Sequence, residues 1–385
     1  MRGKRKRQER ETETSQASHP AHATLSQTKD GPHICESPCD SSVSVHKLTL
    51  GMLRPKWLEL SGVADSRLNR QAQLWRVAES SHNALSTKRK ITQREVYYLH
   101  AGSGVFRSQA DSNTALQLLS NISRVPRINL GFVTSARGLF CGSIGYSFQD
   151  SMDAAQTVLG HGISHDHGQH APEASFVLAG TRAVSVPSDY LTTELLLSTE
   201  HLPEKAQPKF ILVVEKECIF QRLAEDRFFD KHPCVLVTAK GMPDIATRAF
   251  VWRCHTQLKL TVLGLSDWNP YGLGIMLAYK SGGGARGSES TAFNVPLRWL
   301  GLHHAHADRF DVPASAWQEL THRDMSRARG LLEHPSVQWH ESYAEELHAM
   351  LRSDGKLELE ALLSNGLQYM AQTYLPQRLQ DSDAE

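Results

Sequence analysis

Residues 210–240 read FILVVEKECIFQRLAEDRFFDKHPCVLVTAK, and the reading of this stretch decides the fold. FILVV is a continuous apolar run of strand length with no polar face, as expected of a strand covered on both sides. ECIFQRLAEDRFF then repeats its apolar residues at helical spacing, and CVLVTAK (234–240) is a second buried strand. Strand, helix and strand in that order make a parallel βαβ unit. The alternation continues toward the C-terminus. Pro243 opens a helix, PDIATRAFVWRCH, at a position where its missing N–H is harmless. LTVLGLSD (260–267) is a third strand, YGLGIMLAY is helical, and FNVPLRWLGL supplies a further strand and turn. Residues 312–380 read as helical, with Leu359, Leu362, Leu363 and Leu367 on one stripe. The spacing predicts a doubly wound parallel sheet, covered on both faces and followed by C-terminal helices.

Toward the N-terminus the texture changes. Residues 147–209 are less regular, and HGISHDHGQH places His161, His165, His167 and His170 in a short polar run. That composition suits a flexible insertion in a linker; a metal site there would lack an apolar scaffold to fix its ligands. Further upstream, Leu68, Ala72, Trp75, Ala78 and Leu85 recur at helical spacing and predict one buried stripe. A second helix begins after STKRK, and Asp111 or Ser112 caps a third that carries Ala115, Leu118, Leu119 and Ile122. INLGFVTSARGLFCGSI then reads as two short strands around a turn near Ser135–Arg137. Three helices followed by a hairpin is the order of a winged helix-turn-helix, a fold often used on DNA. The expected organisation is a disordered basic tail over 1–50, a winged-helix domain over 56–146, a linker over 147–205 and the parallel-sheet domain with its helices over 206–375.

The tail opens MRGKRKRQER, a basic cluster that fits a nuclear-import signal, a phosphate-attracting arm or a merely solvated end. Over the whole chain, 42 basic residues face 41 acidic ones, so no global charge demands nucleic acid or a membrane. No apolar run approaches a membrane span and no secretory leader opens the chain, which predicts a soluble protein without a membrane partner. Cys141, Cys218, Cys234 and Cys254 fall in apolar runs, the pattern of buried reduced thiols. Cys35 and Cys39 lie near His33 without a second ligand pair at zinc spacing.

Two places carry candidate chemistry. Glu215 ends the first strand and Asp267 the third, and the carboxyl ends of strands are where open parallel sheets bind ligands. Two carboxylates there are hard oxygen ligands suited to Mg²⁺, or else solvated strand-end acids. The second place is ITQREVYYLH (91–100). Thr92 and Glu95 match a capping box, with Ile91 and Val96 placed to pack as a staple. At about 100° per residue, a core-facing Val96 is flanked by Leu99 and His100, Tyr97 lies to the side and Tyr98 points outward. Arg94 shares the face of Tyr98, four residues before it. A guanidinium beside a phenol can hold a phosphate and support a phenolate, help a phenol needs before it becomes a nucleophile at neutral pH. An exposed amphipathic tyrosine is the plain alternative.

Taken together, TQREVYY, SARGLF, VVEKECIFQRL, VTAKGMPDIATR, SDWNPYGLGIM and WLGL resemble a known family, the A subunit of type IIB topoisomerase (topoisomerase VI) and its meiotic relatives that cut both DNA strands. The blocks occur in the family's order over roughly residues 60–310, and two look most like the second plant-type meiotic paralogue. The resemblance implies a winged helix followed by a Toprim domain, in which Tyr98 is the nucleophile and Arg94 its motif arginine. It implies that Glu215 and Asp267 bind Mg²⁺ and that Arg137 and Lys240 contact DNA. Where the family has the second aspartate of its D-x-D, this chain has Asn269, a ligand with a carbonyl oxygen but no charge. Also implied are double-stranded DNA as substrate, a homodimer or a heterodimer with a paralogue, a nuclear location and a topoisomerase VI B-like partner subunit.

Overall fold

The computed structural model describes residues 65–384 apart from 136, 150–175, 191–193, 201, 283–290, 339 and 354. The basic tail, Cys35, Cys39 and the histidines of 161–170 lie outside the described residues.

The chain begins with a helical region. Helix α1 (Asp65–Ser86) is followed by a short strand β1 (Ile91–Thr92), helix α2 (Gln93–His100), helix α3 (Gln109–Ser123) and strand β2 (Phe132–Val133). Val77, Val96, Phe106, Ala115, Leu116, Leu130 and Phe132 form its own small core. Two sequence expectations are rotated here. The buried face of α1 carries Val77, Ala78, Ser81 and Ala84, while Leu68 and Trp75 are exposed. Small residues win because they permit close approach: the Ser81 hydroxyl donates to the Leu130 carbonyl at 2.8 Å. Helix α3 is capped by Ser108 rather than by Asp111 or Ser112, with Asp111 completing the capping box. Its inward residues are Ser112, Ala115, Leu116 and Ser120, leaving Leu118 and Ile122 exposed.

Among the described residues, the two strands of the expected hairpin do not pair with each other. Strand β2 pairs in parallel with β1, Ile91 opposite Phe132. Strand β3 (Leu139–Gln149) instead enters the main sheet with β4 (Val177–Ser185) and β5 (Glu194–Ser198), both antiparallel to it. The segment expected to be an irregular linker therefore contributes strands. Strand β4 buries only Ala179 outright and shows no alternation, so its sequence carries no strand signal of its own and pairing with an existing sheet decides it.

The expected parallel core is present. Strand β6 (Phe210–Val214) leads through α4 (Glu217–Glu225) and the short α5 (Phe228–Lys231) to β7 (Cys234–Thr238). Helix α6 (Ile245–Leu258), β8 (Thr261–Leu265), α7 (Pro270–Ser281) and β9 (Arg298–Gly301) follow. The order of the seven-stranded sheet is β4-β3-β7-β6-β8-β9, with β5 beside β3. Strands β6, β7, β8 and β9 run parallel, and Val214 lies opposite both Thr238 and Leu265. Every residue of β6 and β7 is buried, as their unbroken apolar runs require. Helix α7 is buried from Pro270 to Tyr279 except at Tyr271, which explains why its sequence has no polar face. Cys141, Cys234 and Cys254 are buried free thiols, but Cys218 is exposed on the outer face of α4.

After β9 come α8 (His306–Arg309), a two-stranded pairing of Gln318–Glu319 with Gly355–Lys356, α9 (His322–Leu332), α10 (Pro335–Gln338), α11 (Glu341–Ser353) and α12 (Leu375–Ala384). The leucine stripe near 359–367 is shorter than expected. Leu359–Asn365 is a 3-10 helix that buries Leu359 and Leu362, and Leu367 lies past its end and is exposed. Among the described residues, no helix is long and apolar enough to cross a membrane.

Candidate active site

Helix α2 starts as its sequence specifies. The Glu95 N–H donates to the Thr92 hydroxyl and the Thr92 N–H to the Glu95 carboxylate, a reciprocal cap worth about 1 kcal/mol. That start fixes the rotation of each side chain behind it. Val96 is fully buried and Tyr97 packs against the small core. Tyr98 is 60% exposed. The Arg94 guanidinium lies 5.8 Å from the centroid of the Tyr98 ring, and Tyr97 meets the same ring edge-on at 5.3 Å. One flank differs from expectation: Leu99 is 64% exposed, since the helix ends one residue later and that side stays open to solvent. His100 does turn inward, to a hydrogen bond of 2.7 Å with the Ser80 hydroxyl. Burial and the nearby Arg76 charge lower its pKa.

The second part of the site sits where the sheet's connections change direction. From β6 the chain passes to β7 on one side, while β8 lies on the other side and leads on to β9. The crevice beyond β6 and β8 is the switch point at which such sheets bind ligands. Glu215 and Asp267 meet there, both buried, with the Asp267 N–H donating to Glu215 Oε2 at 3.0 Å. Asp267 Oδ1 accepts the Leu359 N–H at 2.8 Å, and its Oδ2 lies 3.1 Å from Lys216 Nζ. Burial, then repulsion from Asp267, pushes the Glu215 carboxyl up to about 8. Burial raises Asp267 to about 6, with Lys216 holding it lower than it would otherwise be. Gly272 is part of the cradle, because a Cβ at that position would lie 2.5 Å from the Asp267 carbonyl and 2.9 Å from Glu215 Oε2.

This donor set fits a hard divalent cation. Two buried carboxylates, both raised by burial and one further raised by the other, are relieved by a positive charge placed beside them. Among the described residues, no group of three or more His, Cys, Asp or Glu is arranged for a metal. An ion here would take few protein ligands and complete its shell with water and phosphate oxygens, which is the habit of Mg²⁺. Asn269 does not join them. Its Oδ1 accepts the N–H groups of Tyr271 and Gly272 at 2.9 and 2.8 Å, so it is the N-cap of α7. The atom turned toward Asp267 Oδ2, at 3.4 Å, is its amide nitrogen. The oxygen expected to ligate an ion is occupied by the helix, and the Asn-Pro pair at 269–270 is the local sign of that cap.

Arg137 reaches the turn that carries Lys240. An Arg137 guanidinium nitrogen donates to the Met242 carbonyl at 3.3 Å. Lys240, at a left-handed φ of 57°, pairs with Glu217 at 2.9 Å. The next N–H, of Gly241, donates to the Glu215 carbonyl at 3.0 Å, which ties the Lys240 turn to the acid-bearing end of β6. Tyr98 is not joined to the acids. Among the described residues no hydrogen bond or ion pair links it to Glu215 or Asp267; its ring contacts are Arg94 and Tyr97.

Sequence reasoning missed Lys216, Glu358 and Glu360. Lys216 Nζ meets Glu358 at 3.1 Å and also Glu360. The glutamates lie more than 140 residues downstream of Lys216, and the only local sign of them is the alternation LELE at 357–360.

A Toprim-type sheet with an acid pair at its switch point, preceded by a helical region that exposes an Arg-flanked tyrosine, defines a class of protein. Comparison with known proteins agrees. A family model described as the Toprim domain of Spo11 and the topoisomerase 6 A subunit matches residues 210–379, and one described as type IIB DNA topoisomerase matches residues 69–132. The chain belongs to this family of Spo11 and topoisomerase 6 A-type proteins. It is 34% identical over 310 residues to the A3 subunit of DNA topoisomerase 6 from Oryza sativa subsp. indica, covering 80% of this chain and 63% of that one. It is 32% identical over 314 residues to meiotic recombination protein SPO11-2 of the same plant, covering 81% and 74%. Against meiotic recombination protein SPO11 of Mus musculus the identity is 29% over 310 residues, covering 80% and 70%. The chain thus spans a little under two thirds of the length of the topoisomerase 6 proteins it matches.

Proposed function

We propose that this protein is a DNA transesterase that makes double-strand breaks initiating meiotic recombination, with Tyr98 as nucleophile. The observation that carries the reading is the exposed Tyr98 ring beneath Arg94, on a helix whose start and rotation are fixed by its cap. The Tyr98 phenolic oxygen forms a bond to a backbone phosphorus as the bond to the 3′-oxygen breaks. The phenol gives up its proton and the departing 3′-oxygen takes one up. The product is a 5′-phosphotyrosyl link that keeps the energy of the phosphodiester for a later step. Arg94 holds the phosphate beside the phenol through charge-assisted hydrogen bonds. Glu215 and Asp267 would hold Mg²⁺, which supplies charge neutralisation at the phosphate and at the leaving oxygen. Arg137 and the Lys240 turn, next to the acid-bearing end of the sheet, bind the DNA backbone and orient it.

Tyr98 makes no bond to the acid pair of its own chain, and this favours a dimer in which it meets the acids of a second protomer, identical or paralogous. Two protomers then account for two cut strands. A topoisomerase VI B-like protein is the expected partner, and a nuclear location follows from the substrate. The test is a denaturation-resistant DNA–protein adduct, sought with and without Mg²⁺ and with candidate B-like partners. An adduct that needs Mg²⁺ and Tyr98 supports the assignment, and one that survives Tyr98→Phe overturns it.

The cap formed by Asn269 favours a second reading, in which the chain is a DNA-binding scaffold beside a catalytically complete paralogue. A scaffold would tolerate Glu215→Ala and Asp267→Ala in a cleavage assay; the transesterase would not. A decatenating topoisomerase would in addition show ATP-dependent strand passage with a B-like partner.

A further inference from the structure

Lys216 directly follows Glu215, and its side chain turns toward Asp267 rather than into solvent. Its Nζ lies 3.1 Å from Asp267 Oδ2 and 3.1 Å from Glu358 Oε2, and it donates a hydrogen bond to Glu360 Oε2. The carboxylates differ in setting. The Asp267 side chain is 4% exposed, whereas those of Glu358 and Glu360 are 40% and 39% exposed. One ammonium therefore bridges a dry acid on the sheet and two wetter acids around the start of a distant 3-10 helix. Burial alone would lower the Lys216 pKa, but Glu360 and Asp267 outweigh it and the net shift is upward.

An ammonium at this place meets the requirement a metal ion would meet. It is a compact point charge on a flexible stem, set against an oxygen that the cation site needs. Two cations cannot share Asp267 Oδ2 at about 3 Å without strong repulsion. Asp267 can nevertheless release Lys216 without moving, since the Leu359 N–H holds its other oxygen. Glu358 and Glu360 already touch the ammonium and remain to receive it. They are not grouped with Glu215 and Asp267 as ligands of one ion.

Resting on the reading of Glu215 and Asp267 as a divalent-ion site, we propose that Lys216 is a resident counter-cation. It balances Asp267 before the ion binds and withdraws onto Glu358 and Glu360 as it binds, so that these glutamates set ion affinity without ligating the ion. The role belongs to positioning rather than to the chemical step.

The test is Mn²⁺ binding to the full chain without DNA, read from loss of the free-ion electron paramagnetic resonance signal. Lys216→Met is expected to bind Mn²⁺ about tenfold more tightly, as removal of a competing charge at short range implies. Lys216→Arg keeps the charge, guards against a folding defect and is expected to stay near the wild-type affinity. Glu358→Gln with Glu360→Gln is expected to weaken binding several-fold, because Lys216 then stays on Asp267. Combined with Lys216→Met, the same two glutamine changes are expected to have no further effect. If they weaken binding equally with and without Lys216, the glutamates act on the ion directly and the proposal is overturned. Unchanged or weaker binding in Lys216→Met overturns it as well, and loss of binding in Glu215→Gln beside that result leaves the ion-site reading standing. Wild-type protein that binds no Mn²⁺, or binds it as Glu215→Gln does, overturns both.

Discussion

The helical region around Tyr98 and the sheet region around Glu215 are built on different terms. Tyr98 stands over a core of a few side chains, on a helix of eight residues, with its ring in solvent. Glu215 and Asp267 are sunk into the large core of the sheet, and each is tied by hydrogen bonds to residues from a distant part of the chain. On the proposed function, a group that has to reach an outside phosphate is kept exposed and specified locally. On the same reading, a pair of charges proposed to share an ion is kept dry, and many parts of the chain specify it. The first arrangement makes function depend on a single side chain, and the second makes it depend on packing.

The sharpest way to break this contrast is Tyr98→Phe. It is expected to abolish covalent DNA adducts on denaturing gels, while Tyr97→Phe, one residue away, leaves them largely intact. Equal loss in both would mean that α2 as a whole, rather than an outward phenol, is what matters. On the sheet side, Gly272→Ala forces a methyl group against the Asp267 carbonyl and Glu215. It is expected to cost about 1–3 kcal/mol in denaturant unfolding and to spread the acids enough to lose Mg²⁺-dependent adduct. Val96→Ala tests the smaller core. It is expected to destabilise the helical region by about 2 kcal/mol, seen by hydrogen exchange in α2, with the sheet's protection unchanged.

Titration separates the regions again. Glu215 and Asp267 sit at about 8 and about 6 in the folded chain, above their ordinary carboxyl values. The folded state therefore holds their protons more tightly than the unfolded one. Their favourable contribution is complete below about pH 4 and is lost as pH rises through 6 and then 8. In a cation-free buffer, Glu215→Gln is expected to flatten that slope and to melt above the wild type at pH 8. Mg²⁺ is expected to raise the wild-type melting temperature there and to leave the variant's unchanged. The smallest effect is expected from Thr92→Ala, which removes the cap of α2 at about 1 kcal/mol and leaves the acid pair's pH response untouched.

What the sequence discloses follows the same division. The orientation of Tyr98 can be read from Thr92, Glu95 and Val96 because a capped helix is a local object. FILVV, CVLVT and LTVLGL declare a parallel core because strands covered on both faces have no polar side to confuse the pattern. Legibility fails where long-range pairing decides. Strand β3 looks like half of a hairpin, and only the free edge of β7 makes it a sheet strand. The face of α1 is misleading because large residues draw attention while Val77, Ser81 and Ala84 do the packing. Asn269 reads as a weak ligand although Asn-Pro announces a cap. Lys216, Glu358 and Glu360 become one cluster only after folding brings the ends of the sheet region together.

The link between the two regions is short and fastened at one end. Past β2 the chain reaches β3 within a few residues, and there Arg137 grips the Met242 carbonyl while Gly138 lies tight against Thr247 of α6. Lys90 of the helical region adds a second tie, an ion pair with Asp189 at 3.3 Å, so the tyrosine-bearing region is moored to the sheet region at two separated points and not by the connecting chain alone.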